Sequence, residues 1–201
     1  MRSREVSRRD EIVRAATLLF HKQGYGNTTT QQIADKVGML KGSLYHHFRS
    51  KADLLFLVIE QLHSQYMASI DEDLAIEDVP VQERLDLFLD RHLDIVFSNI
   101  EAGTIYRDAI DQLEPAARRQ VRAERDRYVQ HMEELIRQGQ DAGVVCEDVD
   151  ASLLALVVLS IVNAPVRWFS PRGRHTADEV KAGTMALLRT GALRSPPAAQ
   201  R

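Results

Sequence analysis

The sequence predicts an all-α protein of about nine helices, and two observations support this fold class, while a third excludes disulfide and zinc chemistry. Alternating runs of β-branched and polar residues, which are typical of strands, are nearly absent. Apolar residues instead recur three and four positions apart throughout the 201 residues. The single cysteine, Cys146, excludes an intramolecular disulfide, and the spacing of Cys and His resembles no zinc site.

Two helices frame the N-terminal part of the chain. The first is predicted from Ser7, a suitable N-cap residue, to about Gln23, because acidic residues fill its first turn and Gly24 follows it. Ser50 is the predicted cap of a long helix that starts at Lys51 and continues through Ile70. This helix is long enough to connect the N-terminal part to the rest of the chain.

The segment between these two helices has the pattern of a helix-turn-helix. Thr29 is a suitable N-cap for a short helix through Val37, and Gly38 suits a turn that requires a left-handed or close-packed residue. Lys41–Phe48 is the predicted second helix, with Leu44 facing the core and polar side chains facing outwards. In such a motif the second helix enters the major groove of DNA.

The remaining helices are expected to form a larger body. Asp150 is a suitable N-cap for an apolar helix that starts at Ala151 and that Pro165 kinks. The other predicted positions are about Pro80–Asn99, Thr104–Leu113, Ala116–Gly143, and a last helix from the capping box Thr176/Glu179 to Thr190. Residues 194–201 are predicted to be a disordered tail.

Basic residues are concentrated at the N-terminal end. Residues 1–51 carry ten Lys/Arg and four Asp/Glu, a net charge of +6, whereas residues 52–201 carry 16 and 25, a net charge of −9. We call residues 1–51 the head and residues 52–201 the body. A basic head joined to an acidic body is typical of a DNA-binding domain that is followed by a domain that does not bind DNA. The alternative is a solvated surface whose charge is uneven by chance. With no signal peptide and no run of 18 uncharged apolar residues, the expected location is the cytoplasm.

Within residues 9–56, one set of positions forms a recognisable pattern: Gly24, Thr28, Thr29, Ile33, Ala34, Gly38, Lys41, Gly42, Ser43, Leu44, Tyr45, His47, Phe48, Lys51, Leu54 and Leu55. In this order they resemble the TetR family of bacterial transcriptional regulators. One departure is Met39-Leu40, where many relatives have a serine that caps the second helix. The missing cap should cost about 1 kcal/mol.

The resemblance implies a homodimer whose protomers have two domains. Residues 1–51 would form a three-helix helix-turn-helix DNA-binding domain, and residues 52–193 a helical ligand-binding and dimerisation domain. It further implies a repressor that binds a palindromic operator as a dimer and is released by a small-molecule effector, with no cofactor. The last two helices are expected to form a four-helix seam between subunits, which Val158→Asp or Leu188→Asp should disrupt.

Side chains of the head separate into candidate phosphate contacts and candidate base contacts. Lys41, Tyr45 and Lys51 suit phosphates, and Gly42 allows close backbone approach. Ser43 and His46 suit base edges. The full set of DNA-binding candidates is Thr29, Gln31, Lys41, Gly42, Ser43, Tyr45, His46, His47 and Lys51. For Tyr45 and His47 the alternative is packing beneath the head.

A weaker similarity points to the acyl-CoA-responsive branch of the family, which includes a repressor of steroid degradation. It rests on Tyr106 with Asp108 and on the segment from Val166 to Ala177. There Arg167 could pair with a phosphate or carboxylate, and Trp168 could cover an acyl group or an adenine. The candidate effector-binding residues are Phe88, His92, Tyr106, Asp108, Tyr128, Arg167 and Trp168. Alternatively, Trp168 anchors a helix end and Arg167 lies near the dimer seam.

Two other functions remain open at this point. Glu60 and His63 form one Glu-x-x-His motif, but a di-iron bundle needs two such motifs, and no nucleophile motif occurs. An enzyme or metal-storage bundle is therefore disfavoured, and neither a catalytic nor a metal site is predicted. A DNA-binding regulator that responds to another apolar or aromatic ligand, or to none, is the second alternative.

Overall fold

The computed structural model describes residues 7–76 and 78–190, and in these residues every regular element is helical. Ten α-helices and one 3-10 turn follow in order: α1 Arg8–Gln23, α2 Thr30–Lys36, α3 Lys41–Leu44, α4 Lys51–Leu74, α5 Val81–Ser98, α6 Ile100–Ala109, the 3-10 turn Ile110–Gln112, α7 Pro115–Asp141, α8 Ala151–Asn163, α9 Pro165–Trp168 and α10 Ala177–Thr190. Pro165 separates α8 from α9, so the predicted number of about nine is obtained if these count as one kinked helix.

Most helix ends are set by the capping residues that the sequence indicates. Ser7 accepts a hydrogen bond from the backbone of Asp10 at the start of α1, and Gly24 ends that helix with a φ of 84°. Asp150 accepts two backbone hydrogen bonds at the start of α8. The capping box of α10 is present, with Glu179 Oε2 accepting from the Thr176 amide at 2.8 Å. These predictions are confirmed.

By their contacts the described residues separate into two compact units. Unit 1 comprises residues 1–71 and 98–128, and unit 2 comprises residues 72–97 and 129–201, of which only the described parts are discussed. The predicted functional boundary after residue 51 differs from this division and stays a prediction. The predicted disordered tail, 194–201, lies outside the described residues.

The core of unit 1 joins the head to α6. Ile12 and Ala16 of α1, Ile33 of α2 and Leu44 of α3 are almost completely buried in one cluster. That cluster also contains Ile105, Ala109, Leu113 and Val121, from α6, the segment after it and α7. The helix pair α1 and α6 is therefore packed directly together.

Unit 2 contains α5, the C-terminal half of α7, α8 and α10, each of which buries apolar side chains such as Phe88, Leu135, Val162 and Met185. Gly139 of α7 permits a close approach, because a Cβ atom there would lie 2.5 Å from Val145 and 3.1 Å from Leu85. The fully buried Asp73 carboxylate accepts from Arg84 at 2.7 Å and lies 2.9 Å from His131 Nε2. No local sequence pattern predicts this buried polar group of Asp73, Arg84 and His131.

Candidate DNA-binding surface and effector-binding residues

The turn between α2 and α3 is held by backbone hydrogen bonds. Thr29 and Gln32 form a capping box at the start of α2, so the Thr29 side chain is already engaged. Gly38 adopts a φ of 66°, a left-handed conformation that residues with a Cβ atom rarely adopt. The Met39 amide then donates to Ala34 at 2.9 Å, which fixes the angle at which α3 begins.

The second helix of the motif is shorter than predicted. Regular α3 covers Lys41–Leu44, whereas the prediction extended to Phe48. The chain continues as a helical turn, because the amides of His47 and Phe48 both donate to the Leu44 carbonyl. Leu44 and Phe48 are buried as predicted. Leu40 occupies the N-cap position and has no polar side-chain atom, so the expected absence of a side-chain cap is confirmed.

The candidate DNA-contacting side chains lie on the exposed side of this turn. Lys41, Gly42, Tyr45, His46 and His47 are exposed, and Ser43 is half-buried. The alternative for Tyr45 and His47 was that they pack beneath the head. Their exposure argues against this alternative. These residues therefore share one largely exposed surface, and their contact with DNA stays a prediction.

Two of the DNA-binding candidates, Tyr45 and Gln31, make hydrogen bonds within the head. The Tyr45 hydroxyl lies 3.3 Å from the Thr30 hydroxyl, which orients the ring at the start of α2. The Gln31 amide donates to Asp35 at 2.7 Å. This hydrogen bond uses one N–H of Gln31, and a contact with DNA could use its second N–H or its carbonyl oxygen.

Lys51 has a role that the sequence did not reveal. Its ammonium donates to the carbonyls of Tyr25 and Thr28 at 2.8 Å each, and it lies 4.3 Å from the centre of the Tyr25 ring. Burial lowers the pKa of Lys51. The ammonium thus fastens the start of α4 to the loop after α1, and its predicted contact with a phosphate stays a prediction that competes with these carbonyls.

Salt dependence of DNA binding distinguishes these two roles of Lys51. We expect Lys41→Gln to weaken DNA binding and to reduce the slope of log K against log[salt] by about 1.8 for a dimer, as loss of one phosphate contact in each protomer requires. Lys51→Gln should weaken binding with the slope unchanged, because it loosens the head without removing a phosphate contact. Fluorescence anisotropy between about 50 and 200 mM salt measures both slopes. A reduced slope for Lys51→Gln would assign Lys51 to a phosphate instead.

In unit 1, two effector-binding candidates belong to a buried aromatic cluster. Tyr106 lies 5.0 Å from His63, and Tyr128 packs edge-on against Tyr66 at 5.2 Å between ring centres. Burial lowers the pKa of His63, against the opposing effect of Glu124, and burial raises the pKa of Tyr66. Both shifts favour the neutral forms of His63 and Tyr66. His63 and Tyr66 were not among the predicted site residues, although both lie on the apolar face of α4.

Asp108 does not join this cluster. Its carboxylate is exposed and accepts two hydrogen bonds from the neighbouring Arg107, at 2.7 and 2.9 Å. This pairing lowers the pKa of Asp108. Tyr106 and Asp108 are two residues apart, so their side chains point to opposite sides of α6 and do not form one site.

In unit 2 the remaining candidates differ sharply in exposure. Phe88 and His92 are buried on α5, with the Phe88 ring 5.0 Å from His131. Burial lowers the pKa of His92 to about 4, so its imidazole is neutral near pH 7. Arg167 is exposed and Trp168 is 56% exposed, while the next residue, Phe169, packs on Phe97 at 4.9 Å. Trp168 therefore does not serve as a buried anchor of the helix end.

The apolar helix α8 is buried on one side only. Ala155 and Val162 are buried, whereas Leu153, Leu156 and Val157 are between 44 and 54% exposed. The exposed side borders a shallow groove of about 380 Å3 lined by Leu156, Val157, Ser160, Ile161 and Ala164. Val158 and Leu188, the positions chosen from sequence to test the seam, are half-buried, so Leu156 and Val157 are the better positions.

Within residues 7–76 and 78–190, one helical stretch, Ala151–Trp168, is long and apolar enough to cross a membrane by length and composition only. In the same residues no group of three or more His, Cys, Asp or Glu side chains could hold a metal ion.

Comparisons with known proteins cover nearly the whole chain. The family model of bacterial regulatory proteins, tetR family, matches residues 12–58, and that of the tetracyclin repressor-like C-terminal domain matches residues 78–192. The chain is 27% identical to the transcriptional repressor KstR2 of Mycolicibacterium smegmatis, over 96% of this chain and 94% of KstR2.

Solved structures agree with these matches. PfmR from Thermus thermophilus, a TetR family transcriptional regulator, is 31% identical with a TM-score of 0.82, over 91% of this chain and 99% of PfmR. AibR in complex with isovaleryl coenzyme A and operator DNA is 27% identical with a TM-score of 0.80, over 91% of this chain and 98% of AibR. The chain therefore belongs to the tetR family of bacterial regulatory proteins, and it is a transcriptional regulator and not an enzyme.

Proposed function

We propose that this regulator is a repressor that binds a palindromic operator as a dimer in the cytoplasm and leaves it when a small-molecule effector binds. The packing of α6 is the observation that carries this proposal. Helix α6 contributes Ile105 and Ala109 to the core of the head, and Tyr106, which packs against that core, also contacts His63 in the aromatic cluster. A change at the cluster therefore shifts a helix that packs directly on α1.

Effector release requires two states of the head with different affinities for DNA. Movement of α6 or of the long helix α4 would change the separation of the two recognition turns, which must match half-sites about one DNA turn apart. The effector must bind the DNA-incompetent state more tightly, by about 5.5 kcal/mol for a nearly complete switch.

We further propose an acyl-CoA thioester as the effector. The exposed segment from Arg167 to His175 presents Trp168 with three arginines, Arg167, Arg172 and Arg174, and contains no acidic residue. A flat aromatic ring suits an adenine, and guanidinium groups suit phosphates. The similarity to AibR, which was solved with isovaleryl coenzyme A, supports this class of ligand.

The proposed function is tested by DNA binding with and without CoA compounds. The chain should retard a fragment of its own promoter in a gel, and one member of a panel of CoA thioesters should release it and raise the unfolding midpoint. Fatty acids and aromatic compounds form a second panel. Release by a member of that panel would replace the acyl-CoA assignment, and release by no compound would leave a regulator without an effector.

Trp168 provides a sharper test of the ligand class. We expect Trp168→Ala to weaken binding of isovaleryl-CoA about tenfold, since loss of base stacking on an aromatic side chain costs about 1–3 kcal/mol. Trp168→Phe should retain most of the affinity, because it keeps a flat ring. Isothermal titration measures both variants. Equal affinity of Trp168→Ala and the unchanged protein would place the nucleotide elsewhere.

The proposed dimer uses α8 and α10 of each protomer. Leu153, Leu156 and Val157 form an exposed apolar patch on a helix whose opposite side is already buried. Leu187 of α10 is also exposed. Patches of this kind are typical of protein interfaces, and a two-fold axis would bring the same helices of both protomers together.

A further inference from the structure

Leu40 is the most exposed large apolar side chain in the described part of the head, at 80%. The residue before it, Met39, packs against the buried cluster of unit 1. The two apolar residues at the end of the turn therefore have different environments, and only Met39 contributes to the core. The backbone of Leu40 is well fixed, because its carbonyl accepts from Ser43 and Leu44 at 2.9 and 3.3 Å.

Leucine is an unfavourable residue at this position for two physical reasons. It cannot accept the backbone hydrogen bond that Ser, Thr, Asp or Asn accepts at an N-cap. It also leaves an isobutyl group in water beside the exposed Lys41. Single exposed apolar residues are common on protein surfaces, so position rather than exposure singles out Leu40. The N-terminal residues of a recognition helix are those that contact base edges.

The surroundings of Leu40 leave space for DNA. A Cβ atom added at Gly42 would meet nothing within 4 Å, and Tyr45, one turn further along, is exposed. In the major groove the C5-methyl group of thymine is the apolar feature that a side chain such as leucine can recognise. We propose that Leu40 is a specificity-determining residue that contacts the C5-methyl group of a thymine in each half-site, an inference that rests on the proposed operator binding.

Replacement of thymine by uracil removes only this methyl group and therefore tests the contact. An operator is first selected from random duplexes with the full-length protein, and each thymine is then replaced by uracil at symmetric positions. We expect that replacement of thymine by uracil at one position lowers the affinity about fourfold per half-site. This fold-change corresponds to the loss of one buried methylene-sized group. For both half-sites together the expected loss is about 15-fold.

Substitution of Leu40 identifies the side chain responsible. For the Leu40→Ala variant, the ratio of the affinities for the thymine and uracil operators at that position should fall close to one. Leu40→Ser should show the same loss of methyl sensitivity and a higher unfolding midpoint, because serine supplies the missing cap. Leu18→Ala, which removes another exposed leucine of the head, is the matched control and should retain the full ratio.

The outcomes separate this assignment from the proposed function. A protein that binds a selected operator, but shows no uracil penalty or keeps the penalty in Leu40→Ala, overturns the role of Leu40 alone. A protein that enriches no duplex overturns operator binding and the role of Leu40 together. No effector is present in the assay, so the result does not depend on the ligand class.

Discussion

A double variant, Leu156→Asp with Val157→Asp, should be a monomer that no longer holds its operator. Two-fold symmetry places each substitution in the seam twice, so four carboxylates would face an apolar interface. Each buried charge costs several kcal/mol when it has no partner. Because simultaneous engagement of two half-sites raises affinity by about 10²–10⁴, the monomer should lose DNA affinity by a similar factor.

Light scattering and gel retardation measure these two effects. Gln130→Asp, an exposed polar position of α7, is the control for the added charge and should remain dimeric. Retained helicity in the circular dichroism spectrum shows that the double variant is folded. A folded double variant that is still dimeric would move the interface away from the exposed side of α8.

Asp73→Ala is expected to be the most destabilising single substitution among those considered. It removes a fully buried carboxylate, takes away the partner of His131 Nε2, and leaves the largely buried Arg84 guanidinium with the neutral Gln138 side chain as its acceptor. Loss of one partner of a buried ion pair typically costs about 3–5 kcal/mol. For a chain of this size, the unfolding midpoint should fall by roughly 10 °C.

Two further variants test the cause of that destabilisation. Asp71→Ala breaks an exposed pair with Arg127 whose atoms are 3.5 Å apart, and should cost less than about 1 kcal/mol. Asp73→Leu combined with Arg84→Met replaces the pair by apolar groups and should recover much of the stability. Calorimetry compares all three. A midpoint for Asp73→Ala that equals that of Asp71→Ala would show that the buried pair contributes little.

Local sequence signals predicted the helices of this protein well. Ser7, Thr29, Asp150 and Thr176 accept backbone hydrogen bonds at the predicted N-caps, because capping depends only on residues within one turn. The family resemblance is confirmed by the family models and the solved structures. The absent cap at Leu40 was also evident from sequence, since it depends on the identity of one residue.

Features that depend on distant contacts were not predictable in the same way. The carbonyls that hold Lys51 lie 23 to 26 residues away in sequence, so a basic residue before α4 suggested a phosphate contact instead. Asp73 lies three residues after the buried Ile70, and this spacing could have indicated an inward carboxylate. Its partners His131 and Arg84 could be identified only from the fold.

The shared core of the head and α6 limits how this regulator can exchange parts with its relatives. A fragment cut after residue 51 would lose Ile105, Ala109, Leu113 and Val121 from its apolar core and would expose the surfaces they cover. Residues 1–51 therefore do not contain the complete apolar core on which the DNA-binding motif packs. Recombination that keeps residues 98–128 together with the head preserves this packing. Substitutions that change the effector specificity must also preserve the contact between α6 and α1.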